Sequence, residues 1–300
     1  MGQRGGGVTA HLRIIAVILL AGPLCASVHA QSWLPEKGSA SLSVAYSNDL
    51  NEKHYLPDGG TVDVGHTRTQ TLGITGSYAL SDRLLITGGI PFVTARYRGD
   101  FPHPTKVDDG HYHGSTADLR LGLHFQALLE PVLLAPYIAV VIPSRSYVTL
   151  GHATPGRGLE EAWFGFYAGK SLDEWIPKTY LQTRYNYALV EKVAGVSHNR
   201  SNVELEIGYF LNARASVRTF AAWQETHGGI DVPVPGDHPL FDHHDQLAAD
   251  SFLNLGGGFS YSLSQRLSVY SVYLSGVRGR NGHKVEHSVT LGVNYLVAAP

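Results

Sequence analysis

The sequence predicts an all-β fold, a closed antiparallel transmembrane β-barrel of about twelve strands and of the outer-membrane type. Three observations carry that expectation. Apolar and polar residues alternate with period two over runs of about 9 to 11 residues, long enough to cross a bilayer with tilt. A short turn motif recurs three times, and long and short connections alternate strictly along the chain.

The alternation is clearest over residues 117–126, where Leu119, Leu121, Leu123 and Phe125 are interleaved with Asp118, Arg120, Gly122, His124 and Gln126. It returns over 203–210, with Val203, Leu205, Ile207 and Tyr209 on one face and Glu204, Glu206 and Gly208 on the other. An amphipathic helix repeats every 3.6 residues, so this pattern specifies a sheet with one apolar and one polar face. Glycine (34 residues) and tyrosine (16) are abundant, and the glycines sit within strand-like runs, which disfavours helix almost throughout.

The turn motif is Tyr-x-Leu-[Ser/Asn]-x-Arg, found at Tyr78 to Arg83, Tyr209 to Arg214 and Tyr261 to Arg266. Ser or Asn caps the bend, Arg returns to headgroups or solvent, and Tyr sits where an amphipathic ring suits the membrane interface. Two more tight connections lie near Leu129-Glu130-Pro131 and from Asp173 to Lys178. Between them run longer polar stretches: Asn48 to Gly65, Arg98 to Gly114, Ser144 to Gly158, Glu191 to Arg200, His227 to Ala249 and Gly279 to Gly282. Short periplasmic turns and longer external loops are the asymmetry of outer-membrane barrels. The strands are expected at 39–47, 66–79, 83–97, 115–127, 132–142, 159–170, 179–190, 201–211, 214–225, 250–262, 266–278 and 284–297. Their even number places both termini on the periplasmic side. A soluble two-sheet sandwich also alternates, but its strands need only about 5 to 6 residues.

Residues 1–30 read as an export signal: Arg4, His11 and Arg13 precede the apolar run Ile14 to Ala21, and Val28-His29-Ala30 has cleavage spacing. Pro23 and Leu24 stand where a lipid-attachment signal needs small residues before Cys25. The mature domain then covers 31–300 and is destined for the outer membrane of a Gram-negative cell, with lipid and the barrel-insertion machinery as partners. Cys25, the single cysteine, leaves with the signal, which excludes disulfides and thiolate chemistry. The formal net charge is −2 and no Lys/Arg tract occurs, so nucleic acid is not an expected partner.

The C-terminal third carries a resemblance. Leu255-Gly256-Gly257-Gly258-Phe259 continues into Tyr261-Ser262-Leu263-Ser264-Gln265-Arg266, followed by Gly279-Arg280-Asn281-Gly282-His283 and Leu291-Gly292-Val293-Asn294-Tyr295. In these patterns the chain resembles the outer-membrane family named for the meta-pathway of phenol degradation. The resemblance implies a barrel with a transport role for small molecules, hydrophobic or aromatic ones among them, and brings no catalytic or binding residues with it. One departure is that Tyr295 is followed by Leu296-Val297-Ala298-Ala299-Pro300, where such barrels usually end on an aromatic, which predicts less efficient insertion.

If Leu119 and Val203 face lipid, then Asp118, Arg120, Arg184, Glu204, Glu206 and Arg218 line the lumen, and the last four form a ladder of alternating sign across three neighbouring strands. Such charges either pack a narrow interior as paired ions or form a selectivity constriction. Two other classes stay open: a non-conducting structural or surface-binding barrel, and an outer-membrane hydrolase. Ser201 and His198 would be the nearest nucleophile and base, but residues three apart on a strand point to opposite faces. No phosphate-binding glycine loop or metalloprotease motif occurs, and neither enzymatic activity nor a cofactor is expected. His103, His111, His113, His238, His243 and His244 are expected as solvated loop residues. Asp109-Gly110-His111-Tyr112-His113 and Asp242-His243-His244-Asp245 supply metal-ligand types without fixed geometry, so no metal site is expected there.

Overall fold

The computed structural model describes residues 32–63, 65–99, 103, 105–232 and 238–298; the export signal expected over 1–30 lies outside them. The strands are β1 (Ala40–Tyr55), β2 (Thr61–Val62), β3 (His66–Ser81), β4 (Leu84–Arg98), β5 (His113–Thr116), β6 (Asp118–Phe125) and β7 (Leu133–Pro143). They continue as β8 (Glu161–Ser171), β9 (Thr179–Val190), β10 (His198–Phe210), β11 (Ala215–Gly228), β12 (Ser251–Ser262), β13 (Leu267–Arg280) and β14 (Gly282–Ala298). A single helical turn, α1 (His244–Leu247), lies between β11 and β12. Among the described residues no helix is long and apolar enough to cross a membrane.

Apart from the short β2 and β5, each strand pairs antiparallel with its sequence neighbours, and β14 returns to β1, so twelve strands form a closed barrel. The closing seam is long, running from Ser41 opposite Leu296 to Tyr55 opposite Gly282. Closure leaves none of these twelve strands as an edge strand, which is the condition for a sheet in lipid, where an unpaired backbone group costs several kcal/mol.

The three motif turns form as expected. The Asn212 side chain accepts hydrogen bonds from the backbone N–H groups of Arg214 and Ala215, Ser264 does the same for Arg266 and Leu267, and Ser81 for Arg83. Two expected boundaries are corrected. β1 continues to Tyr55, well into the stretch expected as a loop from Asn48, and its register slips at Leu50 and Asn51. His198, Asn199 and Arg200, expected in a loop, open β10, because β11 also extends to Gly228 and supplies them with partners. The run expected at 115–127 is divided into β5 and β6.

The two faces of the sheet differ as the alternation requires. Leu42, Val44 and Tyr46 on β1, Ile138, Val140 and Ile142 on β7, Leu205, Ile207 and Tyr209 on β10, and Leu291, Val293 and Tyr295 on β14 are all exposed, while the residues between them are buried or half-buried. An apolar belt this extensive on an outer surface is stable against hydrocarbon and not against water. Inside, large rings lie over cross-strand glycines. Tyr180 is opposite Gly208 in register and Tyr270 is opposite Gly292, and a Cβ added at either glycine would overlap the tyrosine ring. These glycines are therefore seats for rings, in addition to any role in sheet curvature.

Gly208→Val should force Tyr180 off its seat and cost about 1–3 kcal/mol as an overpacking change. A lowered thermal unfolding midpoint of the refolded barrel checks this, and an unchanged midpoint would contradict the seat assignment.

Candidate functional site

The inner wall formed by β8 to β11 carries three ion pairs. Arg200 on β10 pairs with Glu161 on β8, Arg184 on β9 with Glu204 on β10, and Arg218 on β11 with Glu206 on β10 at 3.2 Å. Along β10 the pairs fall at positions 200, 204 and 206, a stack spanning roughly 20 Å of strand. Their positions follow from register: Glu204 lies directly opposite Arg184, while Glu206 lies opposite Gln182 and two residues along β10 from Gly208, the partner of Arg218. Tyr180 and Gln182 donate hydrogen bonds of 2.7 and 2.9 Å to Glu206, so that carboxylate is held from three sides. The pairs are largely withdrawn from solvent: the Arg218 side chain retains 4% exposure and that of Arg200 7%.

Of the six residues singled out in the sequence, four are thus brought together as two pairs, Arg184 with Glu204 and Glu206 with Arg218. Asp118 and Arg120 are on the same inner face of the sheet but join neither pair. The Tyr147 hydroxyl donates to Asp118, and the Arg120 guanidinium lies over the Trp163 ring, 4.1 Å from its centroid. Sequence reasoning missed Glu161 and Arg200, the most buried pair, because Arg200 was assigned to a loop. It also missed Tyr137 and Tyr167, which turn inward and stack with His124 on the same wall. Tyrosine suits both an interface and an interior, so the ring type alone gave no signal.

The N-terminal segment leading into β1 enters from the short-turn end. Ser32 is fully buried, Trp33 meets Tyr180 edge-on at 6.2 Å, and Leu34 packs on the cluster of Ala135, Tyr137, Ala139 and Tyr167. Residues 32–34 therefore lie against the inner wall beside Glu206's hydrogen-bond donor Tyr180.

The opposite, long-loop end corrects the expectation of solvated histidines. His111 and His113 stay near solvent, where His113 sits 2.8 Å from Asp109 and its hydrogen bond is the first cause of a lowered Asp109 carboxyl pKa. His238 accepts the backbone N–H of Leu240, and His243 pairs with Gln246. His103 and His244 behave differently: they converge with His152 on Asp245, and the His103 side chain is 1% exposed. Burial alone would raise the Asp245 carboxyl, but His103, His152 and His283 outweigh it and hold the group well below the usual carboxylate range. Burial also pushes the His244 imidazole down. His54, His152 and His283 carried no signal in the sequence, since they are 98 or more residues apart from one another, as 152 less 54 gives.

The two residues weighed for a hydrolase, His198 and Ser201, are not brought together. His198 is fully buried on the inner face, whereas Ser201, also buried, shares the strand parity of the outward Leu205 and Ile207 and lies 2.8 Å from His227 Nε2 on β11. His227 stacks on Tyr187, and among the described residues no carboxylate pairs with it; Glu225, opposite Ser201 in register, is held by Arg280. A serine beside an imidazole supplies a nucleophile and a base, but nothing here orients the imidazole as a catalytic triad requires.

No known family's model matches the chain, and no curated protein matches it. Among solved structures, the barrel is similar to an outer membrane channel from Pseudomonas putida F1, at 13% identity and a TM-score of 0.70 over 90% of this chain and 99% of that one. It is also similar to the translocator domain of the autotransporter NalP from Neisseria meningitidis, at 12% identity and a TM-score of 0.50 over 89% and 91% of the two chains. The NanC porin aligns at 10% identity and a TM-score of 0.50 over 85% and 98%. At such identities the likeness establishes the fold, that of outer-membrane barrels.

Glu206→Ala leaves the Arg218 guanidinium buried without its counter-ion, a change that costs about 3–5 kcal/mol in buried pairs. Thermal or denaturant unfolding of the refolded protein should register that loss, and Glu206→Ala with Arg218→Met should recover most of it.

Proposed function

We propose that this chain is an outer-membrane channel or facilitator that passes small molecules down their gradient. The observation that carries the proposal is the inner wall: a stack of paired arginines and glutamates enclosed by a barrel whose outer surface is apolar. The channel and porin among the structural neighbours support the same role. Export through the signal at 1–30 and delivery by the insertion machinery complete the route to the outer membrane. Solute choice follows from what faces the lumen. Beside the ion pairs lie the Tyr137, Tyr167 and His124 stack and a second apolar cluster of Ala45, Tyr270 and Val272 with Phe220 packed against it. A wall part charged and part aromatic suits small aromatic solutes, aromatic acids especially, in keeping with the resemblance to the phenol meta-pathway barrels.

One observation favours the second role, a barrel that does not conduct. Residues 32–34 pack on the inner wall at one end, and the loop histidines pack together at the other. Conductance of the refolded mature chain in planar bilayers separates the two. The proposal expects discrete steps, altered ion selectivity in Glu206→Ala, and larger steps in a chain that begins at Glu36 and so lacks the Trp33 and Leu34 contacts. Neither steps nor liposome swelling from either chain would establish the non-conducting barrel instead.

A further inference from the structure

Five histidines and one aspartate meet at the long-loop end, contributed by five different places in the chain. His54 is on the last turn-out of β1, His103 on the β4–β6 connection, His152 on the β7–β8 connection, His244 and Asp245 on α1, and His283 at the start of β14. The closing seam sets part of the geometry, because His54 and His283 are direct partners in the β1–β14 register, with ring centroids 4.2 Å apart. Potential ligand atoms of His103, His152, His244 and Asp245 all lie within 4.8 Å of one another, and those of His54, His152 and His283 form a second such group that shares His152.

We infer that His103, His152, His244 and Asp245 form a binding site for one divalent first-row transition ion of the zinc class. Four features support it. The spacing fits: Asp245 Oδ2 lies 3.2 Å from His103 Nε2 and 3.1 Å from His152 Nδ1, and Asp245 Oδ1 lies 3.7 Å from His244 Nε2. Ligands about 2.0–2.1 Å from a tetrahedral ion are about 3.3 Å apart. The contacts also lack hydrogen-bond alignment: neither ring nitrogen of the buried His103 has a hydrogen-bond partner, and neither does Asp245 Oδ2. Buried polar atoms in that state call for a partner, and a single ion is one that these converging atoms could share.

The third feature is the outer support of the ligands. His244 Nδ1 is 2.6 Å from the Phe241 carbonyl, which can only accept, so Nδ1 carries the proton and Nε2 presents its lone pair toward Asp245. Metal-ligating imidazoles are usually oriented in this way. Asp108 fixes two of the ligand-bearing connections together, accepting backbone N–H bonds from His103, His152 and Ala153 at 3.0–3.1 Å. Gln246, adjacent to Asp245, donates to the Arg157 carbonyl and so ties α1 to the β7–β8 connection. The fourth feature is charge. Asp245 forms ion-pair contacts with four histidines and, among the described residues, with no lysine or arginine. Three imidazoles and a carboxylate select zinc, copper(II) or nickel over the oxygen-seeking calcium and magnesium. An ion held here would fasten three external connections across the mouth, and the site stands whether or not the barrel conducts.

The test uses the refolded mature chain in detergent, stripped with chelator and then titrated calorimetrically with zinc sulfate, with cobalt(II) as a spectroscopic probe. The inference expects one saturable equivalent with Kd in the micromolar range or tighter, and visible absorption of tetrahedral cobalt(II). Asp245→Asn, and His103→Ala combined with His244→Ala, should weaken binding on the order of 100-fold or more. His111→Ala combined with His113→Ala, outside the cluster, should leave it unchanged. Heat-modifiable gel mobility reports that each variant has folded. No saturable zinc binding below about millimolar by the folded wild type, or equal binding by folded Asp245→Asn and the double variant, overturns the site. If the cluster variants do not fold, the wild-type cobalt spectrum decides, since octahedral cobalt or none is incompatible with it.

Discussion

Every strand of this protein is committed by one constraint: backbone N–H and C=O groups in hydrocarbon must find partners within the sheet, since no water is there to supply them. The β1–β14 seam satisfies that constraint for the two strands that an open sheet would leave as edges. Once the sheet is closed, each side chain has only two destinations, lipid or lumen, and the period-two pattern distributes them. The exposed Leu, Ile, Val and Phe residues on the outside and the paired charges inside are two consequences of the same closure.

Within so small a circumference, inward side chains cannot avoid one another. Tyr180 and Tyr270 fit because Gly208 and Gly292 lie beneath them, and Arg184, Arg200 and Arg218 are tolerated because each meets a glutamate. A charge taken out of bulk water without a partner would cost more than the packing around it returns. The same wall accommodates Trp33 and Leu34, which pack against Tyr180 and the Tyr137–Tyr167 cluster. Ion pairing and the position of the N-terminal segment are therefore coupled through Tyr180, which touches both Trp33 and Glu206.

The loops obey a different logic. They are released from the bilayer's demand, yet they are tied together by specific polar contacts: Asp108 to the His103 and His152 backbones, Gln246 to Arg157, and Asn281 to Asp231 and Ala249. The result is an ordered mouth in which imidazoles from remote parts of the chain come within contact of a single carboxylate.

The sequence by itself determined the barrel, the number and order of its strands, the capped turns at Ser81, Asn212 and Ser264, and the inward side of Arg184, Glu204, Glu206 and Arg218. All of these are local in origin: a face is set by parity along a strand and a turn by a few adjacent residues, so neighbouring letters suffice. Only the tertiary structure decided that Glu161 pairs with Arg200, that Ser32 to Leu34 fold inward, and that His103, His152, His244 and His283 gather around Asp245 with His54 beside His283. Those contacts depend on strand register around a closed circumference and on how independent loops fold over its rim. Register sums small slips such as those at Leu50 and Asn51 over the whole sheet, and no local pattern encodes the sum.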